Sequence, residues 1–394
     1  MSKILVSGGS IAGPTLAYWL HKYGYDVTLV ERFPELRLGG QNVDIKGPAL
    51  EVIRRMGLED EIRKANTTEI GLRFVNVKNE IVGEFPKESS LSMTQDLEIL
   101  RGDLVKILYK HTKEDIRYVF GDYITGLNQT PDNVTVTFAS GKSDTFDLVL
   151  SAEGIGSNTR KLAFGDEIKF KYLGLYTAYL TINKSDTDSR WARWCNTKGG
   201  IVMLLRPDNY GMTRAFINLT SPEMGYEKLT IAEQKEVLIN KIKDVGWEAD
   251  RLIREIESST DLYFERLSQV KAPTWHKGRI GLTGDAAYCA TPISGKGVDL
   301  SMSGAYILAG ELATNKDHSI AFEKYEKRMR PYVETCQKLP PGTPRLVYPT
   351  SKTGVAILNG IVSIIASKPV SWLTGLFSSK NKTSKQEIVL PNYE

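Results

Sequence analysis

Apolar residues recur along the chain at two spacings, and the switches between them sketch a fold. The run KILVS (3–7) reads as a short buried strand, AGPTLAYWLHKY (12–23) as a helix and DVTLVER (26–32) as a second strand. Strand, glycine turn, helix and strand within about thirty residues make a βαβ unit, whose strands are parallel. Pro14 falls in the first helical turn, where its missing N–H does no harm. Helical periodicity returns at 48–65, 99–112, 230–246 and 298–314. The stretch 73–85 predicts a hairpin turning at Lys78–Asn79, and 134–154 a hairpin running on into an apolar strand. Between 172 and 220 the spacing becomes two, in YTAYLTI, GIVMLLR and TRAFINL. RIGLTGDAAYC (279–289) reads as a strand followed by a turn.

These patterns predict an α/β protein: a Rossmann-like nucleotide-binding domain, an inserted β-rich domain and a C-terminal helix. The expected division assigns 1–171 and 271–345 to the first domain, with an excursion near 70–98. It assigns 172–270 to the β-rich domain and 346–394 to the C-terminal helix and tail. Residues 354–377 are strongly apolar, but Asn359, Lys368 and Pro369 interrupt them. No uncharged run reaches the ~20 residues of a spanning helix, so this segment is expected to pack on the protein body. Peripheral membrane contact is the alternative.

Charge and cysteine content narrow the function. Lys and Arg number 51 against 47 Asp and Glu, a net charge of +4 that is too small and too evenly spread for nucleic acid. The basic run SSKNKTSK (378–385) reads as a solvated tail. Cys195, Cys289 and Cys336 lie far apart without CxxC spacing, which argues against a disulfide framework or a zinc site and fits a reducing cytoplasm. The first apolar run is too brief for a signal peptide. Four histidines offer neither a Ser/His/Asp triad nor a metal cluster, so no metal is expected.

Candidate chemistry begins at KILVSGGSIAGPTLAYWL (3–20). A dinucleotide-binding turn needs a glycine for the tight turn, a second for close approach to pyrophosphate and a third for helix–strand packing. Gly8 and Gly13 meet the first and third needs, while Ser10 takes the second. Alone, the pattern also fits an ordinary glycine-rich turn. Glu31 tips the balance: it ends the second strand 18 residues after Gly13, where a carboxylate accepts hydrogen bonds from ribose hydroxyls. Two further stretches follow apolar strands. SAEGIGSNTR (151–160) carries Gly154, Gly156 and Arg160, and GDAAYCATPISGKGVDLSM (284–302) carries Asp285 and a glycine-rich turn opening a helix. Backbone N–H groups at such a helix start favour negative charge on a bound ring.

The three motifs, in this order, resemble those of the single-component FAD-dependent aromatic hydroxylases, the group A flavin monooxygenases. The resemblance spans roughly residues 3–340. RLGGQNVDIKG (37–47), EILRGDL (98–104) and GDAAYCATPISGKG (284–297) are most similar to tetracycline-inactivating members. The resemblance implies FAD as cofactor, NADPH or NADH as cosubstrate, and O2. It implies hydroxylation of a medium-sized aromatic or polyketide-like molecule through a C4a-hydroperoxyflavin, possible antibiotic resistance, and no catalytic residue apart from the flavin.

Position by position, Gly8, Ser10, Gly13, Glu31 and Arg32 would meet the adenosine and pyrophosphate. Asp44 and Arg101 would contact the flavin, Asp285 the ribityl chain and pyrophosphate region, and Pro292, Gly295 and Gly297 the ring, with Arg37 docking NADPH. Three departures stand out: Ser10 for glycine, Glu153 for an aspartate, and Tyr288 and Lys296 where histidine and an uncharged residue are frequent. Substrate would lie between the β-rich domain and the flavin. There Met212, Arg214 and Phe216 share one strand face, and Thr213, Ala215 and Ile217 the other. Alternation leaves open which face meets the substrate. A flavin reductase or dehydrogenase of the same fold is the main alternative, and a membrane-associated binding protein a more distant one. A halogenase is disfavoured because a WxWxIP segment is missing. A monomer is expected.

Overall fold

The computed structural model describes residues 2–89, 97–339, 342–367 and 388–393. Two sheets organise it. The first has six strands in the order His276–Lys277, Ile280–Leu282, Leu148–Ser151, Lys3–Ser7, Asp26–Glu31 and Arg117–Phe120. All neighbours are parallel except the outer pair His276–Lys277 and Ile280–Leu282. Strands buried on both faces need covering layers. Ala12–Lys22, Gly297–Thr314 and His318–Gln337 cover one face, where Ile4, Val6, Leu16, Trp19, Leu150 and Leu308 form part of a shared core, and on the other face Leu5, Val30 and Val149 pack on Ile124, Val134, Val136 and Phe146 of a three-stranded sheet.

The second sheet has seven strands: Tyr263–Lys271, Lys169–Asn183, Met212–Thr220, Ile201–Pro207, Trp191–Thr197, Gly71–Val75 and Ile81–Pro86. Only Trp191–Thr197 and Gly71–Val75 run parallel, so the 71–86 hairpin joins the sheet through an early segment of the chain. Helices Ile231–Ile242 and Ala249–Ser258 cover one face. The first opens on a capping box between Thr230 and Glu233. Ala178, Leu180, Met203, Ala215 and Ile217 pack there against Leu238, Ile242, Leu252 and Ile256. Period two then turns Tyr179, Arg206, Arg214 and Phe216 to the opposite face, away from the helices.

Several elements differ from the periodicity. The 48–65 pattern divides into Gly47–Arg55 and Glu59–Lys64, because Gly57 at φ +72° ends the first helix. The 99–112 pattern opens as a short strand, Glu98–Leu100, paired with Asn42–Asp44, before the helix Arg101–Lys110. Helix Ala249–Ser258, which the pattern left unread, follows the one at Ile231–Ile242. Within the apolar 354–377 segment, the helix Lys352–Ala366 lays Val362 and Ala366 against Gly83, where any Cβ would collide with Val362. The rest of that segment and the basic run at 378–385 lie outside the described residues. No described helix is long and apolar enough to cross a membrane. The last described stretch docks on the first unit: Arg55 and Tyr306 donate to the Pro391 carbonyl at 2.7 and 2.8 Å, and Tyr393 donates to Glu311 at 2.7 Å.

Candidate functional site: two adjoining cavities

A cavity of about 410 Å³ opens where the strands Lys3–Ser7 and Asp26–Glu31 end. Gly8 turns the chain at φ +112°, and a Cβ there would overlap the Ala152 carbonyl. A Cβ on Gly13 would overlap the Gly8 carbonyl, so this glycine permits close packing of helix on turn and does not itself line the cavity. Glu31 accepts from the Gly9 N–H at 2.6 Å and the Phe33 N–H at 3.0 Å, which aims its carboxylate along the cavity wall. Arg32 lines the same wall, its guanidinium 5.0 Å from the Phe33 ring centre.

Ser10 has a partner that the linear motif does not show. Arg101 donates to Ser10 Oγ at 3.0 Å, to the Arg37 carbonyl at 2.7 Å and to the Gly39 carbonyl. Serine at the middle position therefore helps anchor a cation in the cavity. Burial lowers the Arg101 pKa to about 10, which still leaves it charged at neutral pH. Asp285, Pro292 and Gly297 line the cavity as well. Burial raises the Asp285 pKa, opposed by a hydrogen bond with Cys289 and by Arg160.

Glu153 lines the cavity too, but its carboxylate is fully engaged. It accepts from Ser7, from Ser157 at 2.6 Å, and from the Thr159 N–H and hydroxyl at 2.9 and 2.6 Å. Arg160 bonds the Ala286 and Ile155 carbonyls. These two residues tie the middle motif to the strand Lys3–Ser7 on one side and to the helical turn Asp285–Tyr288 on the other.

Asp44, Gly295 and Met212 stand outside the lining of both cavities. Asp44 belongs to a buried cluster around Arg206, which donates to Glu69 at 2.8 and 2.9 Å and to Glu98. Glu98 also accepts from Asn42 at 3.0 Å and from Thr67. Asp44 meets Lys46 at 3.8 Å, and its Oδ1 has no hydrogen-bond partner. Gly295 occupies a left-handed turn at φ +60° beside the Lys46 ammonium. Lys296 is held by Asp299 at 2.7 Å.

Arg214 and Phe216 come together with Arg37 in a second cavity of about 270 Å³. The two cavities share Arg37, Gly40, Gln41 and Tyr263, so they adjoin. Sequence reasoning missed the group between them. Glu265 accepts from the Tyr179 hydroxyl at 3.0 Å and the Tyr263 hydroxyl at 3.2 Å. Its surroundings push its pKa up to about 7, burial first and the nearby Asp285 adding to it. The available signal was alternation: Tyr263, Glu265 and Leu267 share one face of their strand, an acid between two otherwise apolar positions.

A small-residue turn at a helix start, a carboxylate ending the second strand, a fixed cation and an aspartate on the cavity wall form a donor set that suits a dinucleotide carrying a polyol and a pyrophosphate. A family model described as FAD binding domain matches residues 1–337. A flavin-dependent monooxygenase from Legionella longbeachae serogroup 1 (strain NSW150) is 37% identical over 339 residues, 85% of this chain and 87% of that protein. The flavin-dependent monooxygenase eupH of Phoma sp is 34% identical and aligns with 99% of this chain and 97% of its own. The crystal structure of tetracycline destructase Tet(51) superposes with a TM-score of 0.82 at 30% identity, covering 100% of this chain and 99% of that one. The chain belongs to the FAD-binding flavin-dependent monooxygenases.

Proposed function

We propose that this protein uses NADPH or NADH and O2 to hydroxylate a medium-sized aromatic or polyketide-like molecule, a tetracycline being one substrate class to try. The observation that carries the reading is the second cavity, where Arg214 and Phe216 meet Arg37 directly beside the larger one. FAD, when bound, supplies the hydride acceptance and oxygen activation. Gly8, Ser10, Gly13, Glu31 and Arg32 would hold its adenosine and pyrophosphate, with Asp285 toward the ribityl chain. Arg101, Pro292 and Gly297 would be placed toward the ring, and Asp44 and Gly295, which line neither cavity, would act on that end of the site from behind its wall. Gly13 acts by letting the helix pack close, and Asp44 from the cluster around Arg206.

The chain's own work is positioning and exclusion of water. Arg37 would receive the pyridine nucleotide, and Phe216 and Arg214 would orient the substrate ring. Met212 is the weakest of the three strand positions, since it lines neither cavity. The segments 1–171 and 271–345 would act as the cofactor domain, 172–270 as the substrate domain and 346–394 as an appended helix and tail, in a cytoplasmic monomer.

The test is the absorbance spectrum of the purified protein, followed by NADPH and NADH oxidation with a panel of phenols and tetracyclines. The expected result is a flavin band, substrate-stimulated oxidation and a product heavier by one oxygen. Stimulated oxidation with no oxygen in the product would leave the reductase alternative. No flavin after reconstitution with FAD would contradict the site assignment.

A further inference from the structure

The helix Lys352–Ala366 has two apolar faces, and the fold covers one of them. On the inner face Val362 is buried and, with Ala366, lies against Gly83 of the strand Ile81–Pro86. On the outer face Ile357, Ile361 and Ile364 are 59%, 48% and 64% exposed. At 3.6 residues per turn these three fall within about 60° of one another, with Thr353 and Gly360 alongside. A helix at a protein surface ordinarily turns charged side chains outward, so a stripe of isoleucines there marks a contact surface. We propose that this face docks reversibly on a membrane leaflet that carries anionic lipid.

Charge decides between a lipid surface and a second copy of the chain. Residues 335–386 carry seven Lys or Arg and no Asp or Glu. The remaining chain has 44 basic and 47 acidic side chains, so the whole of the net +4 resides in this stretch. Lys352 opens the helix and Arg345 precedes it, both exposed. Lys368, Lys380, Lys382 and Lys385 lie outside the described residues and count only as charge. A two-fold contact between copies would set these like charges together. An anionic leaflet attracts them and takes up the isoleucines.

Several bonds fix the start of the helix to the sheet. Ser351 caps it, accepting from the Gly354 N–H at 3.0 Å. Just before it, the Thr350 carbonyl accepts from the Gly199 N–H at 2.8 Å, and the Val347 carbonyl from the Asn196 side chain at 2.7 Å. Tyr348 is buried beside Trp194, ring centres 6.1 Å apart, while Leu346, two residues earlier, is 67% exposed. The outer face is thus already formed when a surface arrives, which lowers the ordering cost of docking. With 15 residues the helix is too short to span a bilayer, so the contact is interfacial.

The test floats the full-length, FAD-loaded protein with vesicles of phosphatidylcholine, either alone or with about 30% phosphatidylglycerol. The expected result is flotation with the anionic vesicles, weakening as salt screens the attraction, and about tenfold less on phosphatidylcholine alone. The triple variant Ile357→Gln, Ile361→Gln and Ile364→Gln should lower the bound-to-free ratio by about tenfold or more. Arg345→Glu with Lys352→Glu should lower it by roughly the same factor on anionic vesicles. A polarity-sensitive dye on Ile361→Cys should shift to the blue on anionic vesicles, and one on Lys142→Cys should not, the native cysteines being buried. This dye reading decides the matter by itself if the triple variant loses its flavin band or its fold. No flotation, equal binding to both vesicles, a folded triple variant that floats like the wild type, or an unshifted dye at 361 would each overturn the proposal. So would a lipid-free wild-type dimer that the triple variant abolishes, since a second copy would then cover the face.

Discussion

Glu98 and Glu265 are both pushed up to about 7, chiefly by burial, yet they sit in opposite surroundings. Glu98 is sealed, 1% exposed, with Arg206, Glu69, Asn42, Thr67 and Asp44 around it. Glu265 has two phenols for partners and lines a cavity. The Glu98 cluster joins the short ladder Asn42–Asp44 and Glu98–Leu100 to the strand bearing Arg206, and Asn42 also donates to the Pro207 carbonyl at 3.3 Å. A perturbed carboxyl is thus a sign of burial first. It becomes a sign of chemistry only where a ligand can reach its partners.

The largest expected effect comes from breaking the sealed cluster. Arg206→Met strands Glu69, Glu98 and Asp44 without their cation and should cost about 3–5 kcal/mol in denaturant unfolding. A loss under ~1 kcal/mol would mean the cluster is better hydrated than its burial implies.

The second test uses pH. In the folded chain both glutamates keep a proton up to about pH 7, whereas in the unfolded chain they lose it near the ordinary value of 4.5. The folded state binds more protons across that window, so both contributions to stability are full below it and fade as pH climbs through it. Glu98→Gln should flatten this fall by roughly half, leaving the Glu265 part, and unfolding curves across the window would read the slope. An unchanged slope would show that Glu98 does not titrate there.

The smallest effect on stability belongs to the open group. Glu265→Gln retains the shape and one acceptor for a phenol, so it should change stability by less than ~1.5 kcal/mol. A loss as large as that of Arg206→Met would make Glu265 structural and erase the contrast. Ser10→Gly is a companion case: it removes one hydrogen bond to Arg101 and should lower FAD affinity by about tenfold or less in a fluorescence titration.

The turn at the first strand was legible because local rules govern it. Gly8 and Gly13 sit where a side chain would overlap backbone, and Glu31 ends its strand at the expected distance. The face of the second sheet that lines the smaller cavity was less so. Alternation correctly separates Met212, Arg214 and Phe216 from Thr213, Ala215 and Ile217, but both sets contain residues suited to a core. The choice falls to helices Ile231–Ile242 and Ala249–Ser258, which bury the second set and leave the first facing away from them.

By itself, then, the sequence determined the βαβ start, the alternation of the strands between 172 and 220 and the residue types that close turns demand. Backbone geometry imposes these over a few neighbouring residues. Tertiary structure decided what comes together across the fold: Ser10 with Arg101, Arg37 and Arg214 on the wall of one cavity, and Glu265 with Tyr179 of a neighbouring strand. Such neighbours depend on strand order and on how distant segments pack, and local periodicity does not carry that information.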